Sequence, residues 1–285
     1  MAVWKEVQNL KGLGFPIVSS HSGYRLVGFP DRFEPEFLKP YLEEKVQGIE
    51  VIYKEEVDST NTFLRRFAEN AREGTLCIAE RQTQGRGRRG RSWFSLEGKS
   101  LTFSLLLRPN LPLGSCVLCT LLAGLSLGRA LRSLGFPAEL KWPNDVLLRG
   151  KKVAGVLLEA ESDFDCVPLM VLGVGVNVNL TREDLAALPF ATSLYAEEGR
   201  KIPRIEVLRA FLSHFIPEYV RLRETGDFSS WVLEYNAMCT ILGQEITVLG
   251  GKEKIRGIAK RVDASGALWV EEGGEERPIT WGEIE

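Results

Sequence analysis

The sequence predicts an α+β protein with a mixed, largely antiparallel sheet that is flanked by helices. Two observations favour this class. Four strand-like segments between positions 139 and 179 follow one another across short turns such as Arg149-Gly150-Lys151, so neighbouring strands are expected to be antiparallel. Long helical patterns stand before and after this group instead of alternating with it, which argues against a doubly wound parallel sheet.

The first segment, 1–40, is predicted to be a partial winged-helix remnant with a linker. A helix is expected over Ala2–Leu13, followed by short strands over Pro16–Ser19 and Gly23–Val27. His21 lies in the turn between these strands, where a solvated loop residue is the plain interpretation. The piece is too short to bury a core alone, and three prolines between 30 and 40 mark the linker.

The second segment, 41–238, is predicted to be the main domain. Its expected strands are Val51–Val57, Leu76–Arg81, Ser100–Leu107, Glu139–Trp142, Val146–Leu148, Lys152–Glu161 and Leu169–Asn179. Its expected helices are Thr60–Arg72, Leu113–Leu134, Pro203–Arg223 and Ser229–Met238. The third segment, 239–285, is predicted to be a small SH3-like β-barrel. Its expected strands are Glu245–Leu249, Ile255–Val262, Ala267–Glu271 and Glu276–Trp281, separated by glycine turns.

Composition excludes several classes of protein. A hydrophobic share of 44% and a charged share of 26% are typical of a globular chain. No apolar run reaches about 18 residues and no signal-peptide pattern opens the chain, so neither a membrane span nor export is expected. A net charge of -2 argues against a general nucleic-acid footprint. Five cysteines and two histidines favour neither a disulfide framework nor a histidine-based centre.

The segment Gln84–Arg91 combines glycines, which let a backbone approach a phosphate, with arginines, which neutralise it. An Arg/Gly-rich nucleic-acid loop or a solvated turn explains the segment equally well by itself. No Gly-Lys-Ser/Thr follows at Walker spacing. Lys141 ends an apolar strand and would suit an anion, although the following Pro143-Asn144-Asp145 is also ordinary turn chemistry.

Two further segments carry polar groups next to apolar ones. Asp58–Asn61 begins a predicted helix, where free N–H groups suit a polar ligand, although a plain N-cap explains it better in isolation. Gly173 and Gly175 lie inside a strand that ends at Asn177 and Asn179, so a ligand or a backbone is expected to approach closely there. The third glycine of a dinucleotide motif is missing, which excludes a Rossmann interpretation.

Six motifs occur in order: DSTN, RQTQGRGRRGRSW, KWPNDVLL, KVAGVLLE, GVGVNVN and ATSL. Together they resemble a bacterial biotin protein ligase (biotin–[acetyl-CoA-carboxylase] ligase). The N-terminal AVWKEVQNL…GF…GYRL resembles the recognition helix and wing of repressor-type ligases, and Gln244–Trp281 resembles their C-terminal domain. Two helices that precede the recognition helix in those ligases have no counterpart here, so the resemblance implies a truncated winged helix and makes DNA binding doubtful.

The resemblance implies a class II synthetase-like (SH2-like) catalytic domain. It implies an activity in which ATP and biotin give biotinyl-5′-AMP and pyrophosphate, with Mg²⁺, before a lysine of a biotin carboxyl carrier domain of a carboxylase takes the biotin. It also implies a cytoplasmic protein that is not membrane-bound, and a possible homodimer. A DNA-binding repressor that senses biotinyl-AMP and a lipoate ligase, which shares the catalytic fold, stay open as alternatives.

The same resemblance implies the roles of single residues. Biotin would be bound by Ser59, Thr60, Asn61, Gln82, Gly85, Arg86, Gly87, Arg88 and Lys141, of which Lys141, Arg86 and Arg88 would be catalytic. ATP and the adenylate would be bound by Arg89, Arg91, Trp93, which would lie against adenine, and Asn177. Ser100–Leu107 and Lys152–Glu159 would wall the biotin tail; metal ligands cannot be assigned. Cys116, Cys119, Trp231 and Tyr235 are interpreted as core residues.

Overall fold

This computed structural model describes residues 2–28, 30–35, 37–38, 42, 49–161, 167–250 and 253–285. The chain begins with helix α1, Ala2–Gly12, and an antiparallel hairpin of β1, Ile17–Ser20, and β2, Gly23–Leu26. These bounds agree with the predicted ones to within one residue, and His21 is exposed in the hairpin turn. The predicted linker falls partly on positions 36 and 39–41, which lie outside the described residues.

The central sheet has seven strands. They are β3 Val51–Val57, β4 Leu76–Gln82, β5 Ser100–Leu107, β6 Ala138–Lys141, β7 Asp145–Leu148, β8 Lys151–Glu161 and β9 Leu169–Asn177. Their order is β3-β4-β5-β9-β8-β7-β6. Only β3 and β4 run parallel, and every other neighbouring pair is antiparallel. The predicted mixed, largely antiparallel sheet is therefore confirmed.

Helices cover both faces of this sheet. They are α2 Thr60–Phe67, α3 Cys116–Ser133, α4 Leu194–Glu198, α5 Arg204–Thr225 and α6 Ser229–Met238. Successive strand residues point to opposite faces. Along β4, Cys77 packs with Leu64 of α2, whereas Ile78 packs in the large core that includes α3 and α5.

The prediction of a helix over Thr60–Arg72 was wrong at its C-terminal end. The Ala68 N–H donates to the Arg65 carbonyl, a tightened last turn, and the chain then turns through Gly74 at a φ of 84° to enter β4. Helix α4 was not predicted. It begins at Ser193, whose hydroxyl accepts from the Ala196 N–H, and ends at a left-handed Gly199.

Among the described helices, α3 is the one that is long and apolar enough to cross a membrane. In this structure 67% of its residues are buried inside the protein, which is typical of the core helix of a globular domain. Cys119 is buried in α3, Cys116 is half-buried there, and both thiols are free. Trp231 and Tyr235 are buried in the core, as predicted.

The C-terminal part is a five-stranded antiparallel sheet in the order β13-β12-β11-β10-β14. The strands are β10 Glu245–Gly250, β11 Glu253–Val262, β12 Leu268–Glu272, β13 Glu275–Ile279 and β14 Glu283–Ile284. The predicted strand over Glu276–Trp281 ends early, because the chain turns through Gly282 into β14, a strand of two residues that was not predicted. The Trp142 indole N–H donates to the Gly266 carbonyl over 3.1 Å and joins this sheet to the central one.

Candidate active site

A cavity of about 670 Å³ opens beside the middle strands of the central sheet. The N-terminus of α2, the loop after β4, the β6–β7 turn and the C-terminal strand β14 all contribute to its wall. Of the predicted site residues, all except Gly85 line it: Ser59, Thr60, Asn61, Gln82, Arg86, Gly87, Arg88, Arg89, Arg91, Trp93, Lys141 and Asn177. The fold therefore brings residues from four separate sequence segments to one place: 59–61, 82–93, 141 and 177.

The start of α2 forms a polar floor. Ser59 stands at the N-cap position, but its side chain makes no capping bond. The capping acceptor is instead the Gln82 side-chain oxygen, which receives the Thr60 N–H at 2.8 Å and the Thr60 hydroxyl at 3.2 Å. The plain N-cap interpretation is thus wrong for the Ser59 hydroxyl, which lies buried at the cavity wall instead.

Asn61, only 2% exposed, is held at both ends of its amide. Its oxygen accepts from Ser104 at 2.6 Å, and its nitrogen donates to Glu159 at 2.9 Å and to the Leu157 carbonyl at 3.3 Å. A Cβ on Gly173 would overlap the Asn61 amide. This glycine inside β9 is therefore explained by the approach of a side chain, where the sequence predicted a ligand or backbone.

The loop after β4 folds back on itself. The Trp93 N–H donates to the Gly85 carbonyl at 2.8 Å, and the Gly87 N–H donates to the Arg91 carbonyl at 2.7 Å. A Cβ on Gly85 would lie 2.5 Å from the Trp93 carbonyl oxygen, so a larger residue would push this loop open. Gly85 therefore shapes the loop without lining the cavity.

Each arginine of the loop has a different partner. Arg86 pairs with Glu159 at 2.9 Å, and Arg88 donates to the Asn144 side-chain oxygen at 3.1 Å. Burial, and then the charge of the neighbouring Arg89, lower the pKa of the Arg88 guanidinium. A half-buried cation whose hydrogen bond goes to a neutral oxygen, and which has no ion pair among the described residues, suits an anionic ligand.

The two outer arginines reach the C-terminal sheet. Arg89 donates to the Leu249 carbonyl at 2.7 Å, and Arg91 forms an ion pair with Glu283 of β14. Side-chain exposure is 38% for Arg89 and 69% for Arg91. The C-terminal sheet thus supplies part of the wall that surrounds the loop, which the sequence did not predict.

Lys141 ends β6 opposite Asp145 in β7. Within the part of the chain that the structure describes, no ion pair involves Lys141, whereas Asp145 pairs with Lys152 at 2.6 Å. Trp142 is buried and turns its indole N–H toward the C-terminal sheet. Lys141 is half-buried at the cavity wall, so its ammonium is available to a ligand.

The indole of Trp93 lies on the middle of the sheet. A Cβ on Gly175 of β9 would overlap the indole ring, and one on Gly155 of β8 would crowd it. The two glycines therefore make room for a flat ring. The indole nitrogen is buried without a hydrogen-bond partner. Asn177, at the end of β9, donates to the Thr192 carbonyl at 3.0 Å.

Comparison with known proteins identifies the family. Residues 53–177 match the model of the Biotin/lipoate A/B protein ligase family, and 241–285 match that of the Biotin protein ligase C terminal domain. The bifunctional ligase/repressor BirA of Bacillus spizizenii is 34% identical over 275 residues, which is 95% of this chain and 84% of that protein. The chain belongs to the biotin protein ligase family.

Two other members give the same result. The biotin–[acetyl-CoA-carboxylase] ligase of Mycobacterium tuberculosis is 33% identical over 234 residues, with 79% of this chain and 85% of that protein covered. The Aquifex aeolicus biotin protein ligase, solved in complex with biotin and ATP, superimposes with a TM-score of 0.71 at 34% identity. That match covers 83% of this chain and 97% of the Aquifex chain.

Several residues around the cavity of this biotin protein ligase family member were not assigned individual roles from the sequence. They are Ser104, Asn144, Asp145, Lys152, Glu159, Leu188, Phe190 and Glu283. Asn144 and Asp145 stand in the KWPND motif and could have been named from it. Ser104, Lys152 and Glu159 fall within the two segments predicted to wall the biotin tail. Leu188, Phe190 and Glu283 carry no local signal, because tertiary contacts bring them to the site. Of the predicted wall Ser100–Leu107, only Phe103 lines the cavity, and β9 contributes Gly173–Gly175 instead.

Proposed function

We propose that this protein activates biotin with ATP and transfers it to a lysine of a biotin carboxyl carrier domain of a carboxylase. One observation carries this: Arg86, Arg88 and Lys141 surround one cavity beside an uncharged polar floor. That arrangement suits a ligand with a polar, neutral head and a carboxylate that must meet a phosphate. The names of the relatives, several of them biotin–[acetyl-CoA-carboxylase] ligases, support the same reaction.

In the first step an oxygen of the biotin carboxylate attacks the α-phosphorus of ATP. A carboxylate–phosphorus bond forms, the bond to the β-phosphate oxygen breaks, and pyrophosphate leaves. Both partners are anions, so their approach costs electrostatic energy that fixed cations offset. Lys141 and Arg88 would meet the carboxylate and the α-phosphate, and Arg86 the carboxylate. Arg89 and Arg91 would meet the triphosphate.

In the second step a lysine amine of the acceptor attacks the carbonyl carbon of biotinyl-5′-AMP. The amide bond forms, AMP leaves as the anion of its phosphate, and the amine proton passes to solvent. No covalent intermediate with the enzyme is needed, so no activated serine or cysteine is required. Lys141 and Arg88 would stabilise the departing phosphate.

The floor would bind the ureido ring, because Ser59, Thr60, Asn61 and Gln82 present hydroxyl and amide groups there. Trp93 would lie against the adenine, and Asn177 would bind the nucleotide. Gly87 would let the loop backbone come close to the ligand, and Gly85 would act indirectly by shaping that loop. The apolar parts of β5, β8 and β9 would surround the biotin tail.

Mg²⁺ belongs to this proposal as a companion of ATP. Within the described ranges no group of three histidine, cysteine or acidic side chains is placed to hold a metal. Mg²⁺ usually keeps several waters and binds substrate phosphates with one or two carboxylates. The residues therefore do not fit a protein-built metal cage, and no step of the reaction is assigned to the metal.

The finer architecture is proposed from the resemblance. Residues 1–40 would be a winged-helix remnant with its linker, 41–238 a class II synthetase-like catalytic domain, and 239–285 an SH3-like barrel. The protein would work in the cytoplasm, off the membrane, and could pair as a homodimer. The described part of the N-terminal segment carries the basic Lys5, Lys11, Arg25 and Arg32, of which Arg32 pairs with Glu34, so it would neutralise few phosphates and support only weak DNA binding.

The deciding experiment measures pyrophosphate release from ATP with biotin and, separately, with lipoate. Release that needs biotin supports the proposal, whereas release with lipoate alone identifies a lipoate ligase. A carrier domain of a carboxylase should then gain the mass of one biotinyl group in the presence of ATP and biotin. A carrier domain whose acceptor lysine is replaced by arginine is the control and should stay unmodified.

A further inference from the structure

Glu159 lies where three elements of the cavity meet. It stands on β8, and its side chain is only 17% exposed. One carboxylate oxygen pairs with Arg86 of the loop at 2.9 Å and with Arg65 of α2 at 3.6 Å. The other accepts the Asn61 amide at 2.9 Å. A single carboxylate thus joins the loop, helix α2 and the sheet.

A continuous hydrogen-bond network starts from this carboxylate. Asn61 turns its nitrogen toward Glu159, which leaves its oxygen to accept from the Ser104 hydroxyl at 2.6 Å. Ser104, which is fully buried on β5, also lies 2.7 Å from the Thr60 hydroxyl, and Thr60 bonds to Gln82. The network therefore connects four of the residues proposed to bind biotin through two that bind none of it.

The burial of Glu159 explains why its donors matter for the geometry of the site. A half-buried carboxylate has lost part of its hydration, and the donor groups of Arg86, Arg65 and Asn61 replace those water contacts. The carboxylate also fixes its donors. It keeps the Arg86 side chain from turning toward solvent, and it keeps the Asn61 amide from rotating by half a turn. A group that fixes the direction of two binding residues reduces the ordering that ligand binding would otherwise require.

We propose that Glu159 is a positioning residue for biotin recognition, acting through Arg86 and Asn61. This rests on the proposed function. Glu159 touches neither the reacting carboxylate nor the phosphate in this scheme. Its effect falls on the binding of the acid substrate, because the residues it orients face the biotin head and carboxylate. Among the described residues, the nucleotide residues Trp93 and Asn177 form no hydrogen bond or ion pair with Glu159.

The experiment is Glu159→Gln in the full chain, with steady-state pyrophosphate release measured against biotin and against ATP. Loss of a charge-assisted bond costs about 1.5–3 kcal/mol, so KM for biotin should rise about 10- to 100-fold. KM for ATP should stay within about 2-fold. Because KM does not depend on the concentration of active enzyme, partial unfolding of the variant would lower the apparent kcat without producing this pattern.

Glu56→Gln is the matched control. Glu56 is also a strand carboxylate paired with an arginine, Arg81, at 3.1 Å, but it is 53% exposed and lies outside the cavity. It should leave both KM values unchanged. A second variant, Ser104→Ala, removes the next link of the network and should raise KM for biotin by a smaller factor than Glu159→Gln.

Coupling is tested with Arg86→Gln and the double variant Arg86→Gln/Glu159→Gln. If Glu159 acts through Arg86, the double variant should raise KM for biotin by less than the product of the single effects. A wild-type KM for biotin in Glu159→Gln, equal increases for biotin and ATP, or strict additivity would each overturn the inference. A wild-type protein that releases no pyrophosphate with biotin would instead overturn the proposed function, which is a separate result.

Discussion

Arg204 is buried and Arg88 is half-buried, and the charges around these two arginines differ. Arg204, at the start of α5, has a side-chain exposure of 4% and pairs with Asp31 at 2.8 Å and with Glu80 at 2.6 Å. Arg88 donates to the neutral oxygen of Asn144, and the like-charged Arg89 stands beside it. The carboxylates that act on Arg88, Asp145 and Glu283, form their ion pairs with Lys152 and Arg91 instead. Among the described residues, Arg204 therefore has two ion-pair partners and Arg88 has none.

The pKa directions follow from this difference. Burial works to lower the pKa of Arg204, but the hydrogen bonds and charges of Glu80 and Asp31 outweigh it and raise its pKa. Burial and then Arg89 lower the pKa of Arg88, and the smaller opposing effects of the Asp145 and Glu283 charges do not offset them. The comparison teaches that burial alone does not distinguish an arginine with a structural role from one that binds a ligand. The number of carboxylates of the protein that pair with the arginine does distinguish them.

Replacing Arg204, the cation with two ion-pair partners, should have the largest effect on stability. Arg204→Met leaves Asp31 and Glu80 part-buried without their partner, which typically costs about 3–5 kcal/mol. Urea unfolding at pH 7 measures this loss, and the KM values of the folded fraction should not change. The exposed arginine of the Arg256–Glu245 pair gives the control, Arg256→Met, for which no measurable loss of stability is expected. Equal losses in the two variants would contradict the comparison.

Replacing Lys141, which has no ion pair among the described residues, should lower the rate of adenylation without changing the free energy of unfolding. Lys141→Ala should slow single-turnover formation of biotinyl-5′-AMP by about 10²–10³-fold, because one preorganised charge is lost from the transition state. Transfer from added adenylate should fall less. Lys141→Arg should restore the rate only in part, since a planar fork does not replace a compact ammonium.

The exposed Lys201→Ala is the control for Lys141 and should behave as wild type. Near wild-type adenylation by Lys141→Ala would remove this lysine from the mechanism.

The four arginines of the Gln84–Arg91 loop should also make the conformation of this loop depend on whether an anionic ligand is bound. Trypsin should cut within this loop several-fold more slowly when biotinyl-5′-AMP is present, because the anion draws the arginines together and closes the loop. Cleavage after Lys11, in the N-terminal helix, is the internal reference and should be unaffected. Identical cleavage of the loop with and without the adenylate would disprove this.

The smallest expected effect concerns the ion pair between Lys99 and Asp184, which lies near the surface. Lys99, and then the Thr181 N–H, lower the pKa of Asp184 below its ordinary value of 3.8. A lowered pKa contributes stability above the unfolded-state value, and that stability is lost as the pH falls through the folded value. Asp184→Asn should therefore destabilise the protein at pH 7 by only about 0.5 kcal/mol, because the pair lies near solvent. The difference between variant and wild type in urea unfolding should shrink in acid, and a constant difference would refute this origin.

Local pattern was sufficient for most of the elements. Ser100–Leu107 and Ser229–Met238 have the predicted bounds, because an unbroken apolar run and a helical repeat need no distant partner to be recognised. Prediction failed at ends that tertiary contacts set. Helix α2 stops at Phe67 because the chain must turn into β4, and β14 exists only because β10 pairs with it.

The site divides in the same way. The glycines and arginines of the loop and the lysine of KWPND are visible from the sequence because their chemistry stands within a few residues. Glu159 and Glu283 are ordinary acidic residues in their own segments. They acquire a role only through Arg86, 73 positions from Glu159 in the numbering, and through Arg91.

The sequence by itself determined the class of the fold, the order of its strands and helices along the chain, and the residue types available for an anionic ligand. Those properties depend on periodicity, turn chemistry and side-chain charge, which are local. The tertiary structure decided which cations are neutralised within the protein and which are left for a ligand. Arg204 and Arg88 are the same side chain, and only the folding of Asp31 and Glu80 against one of them makes that one structural.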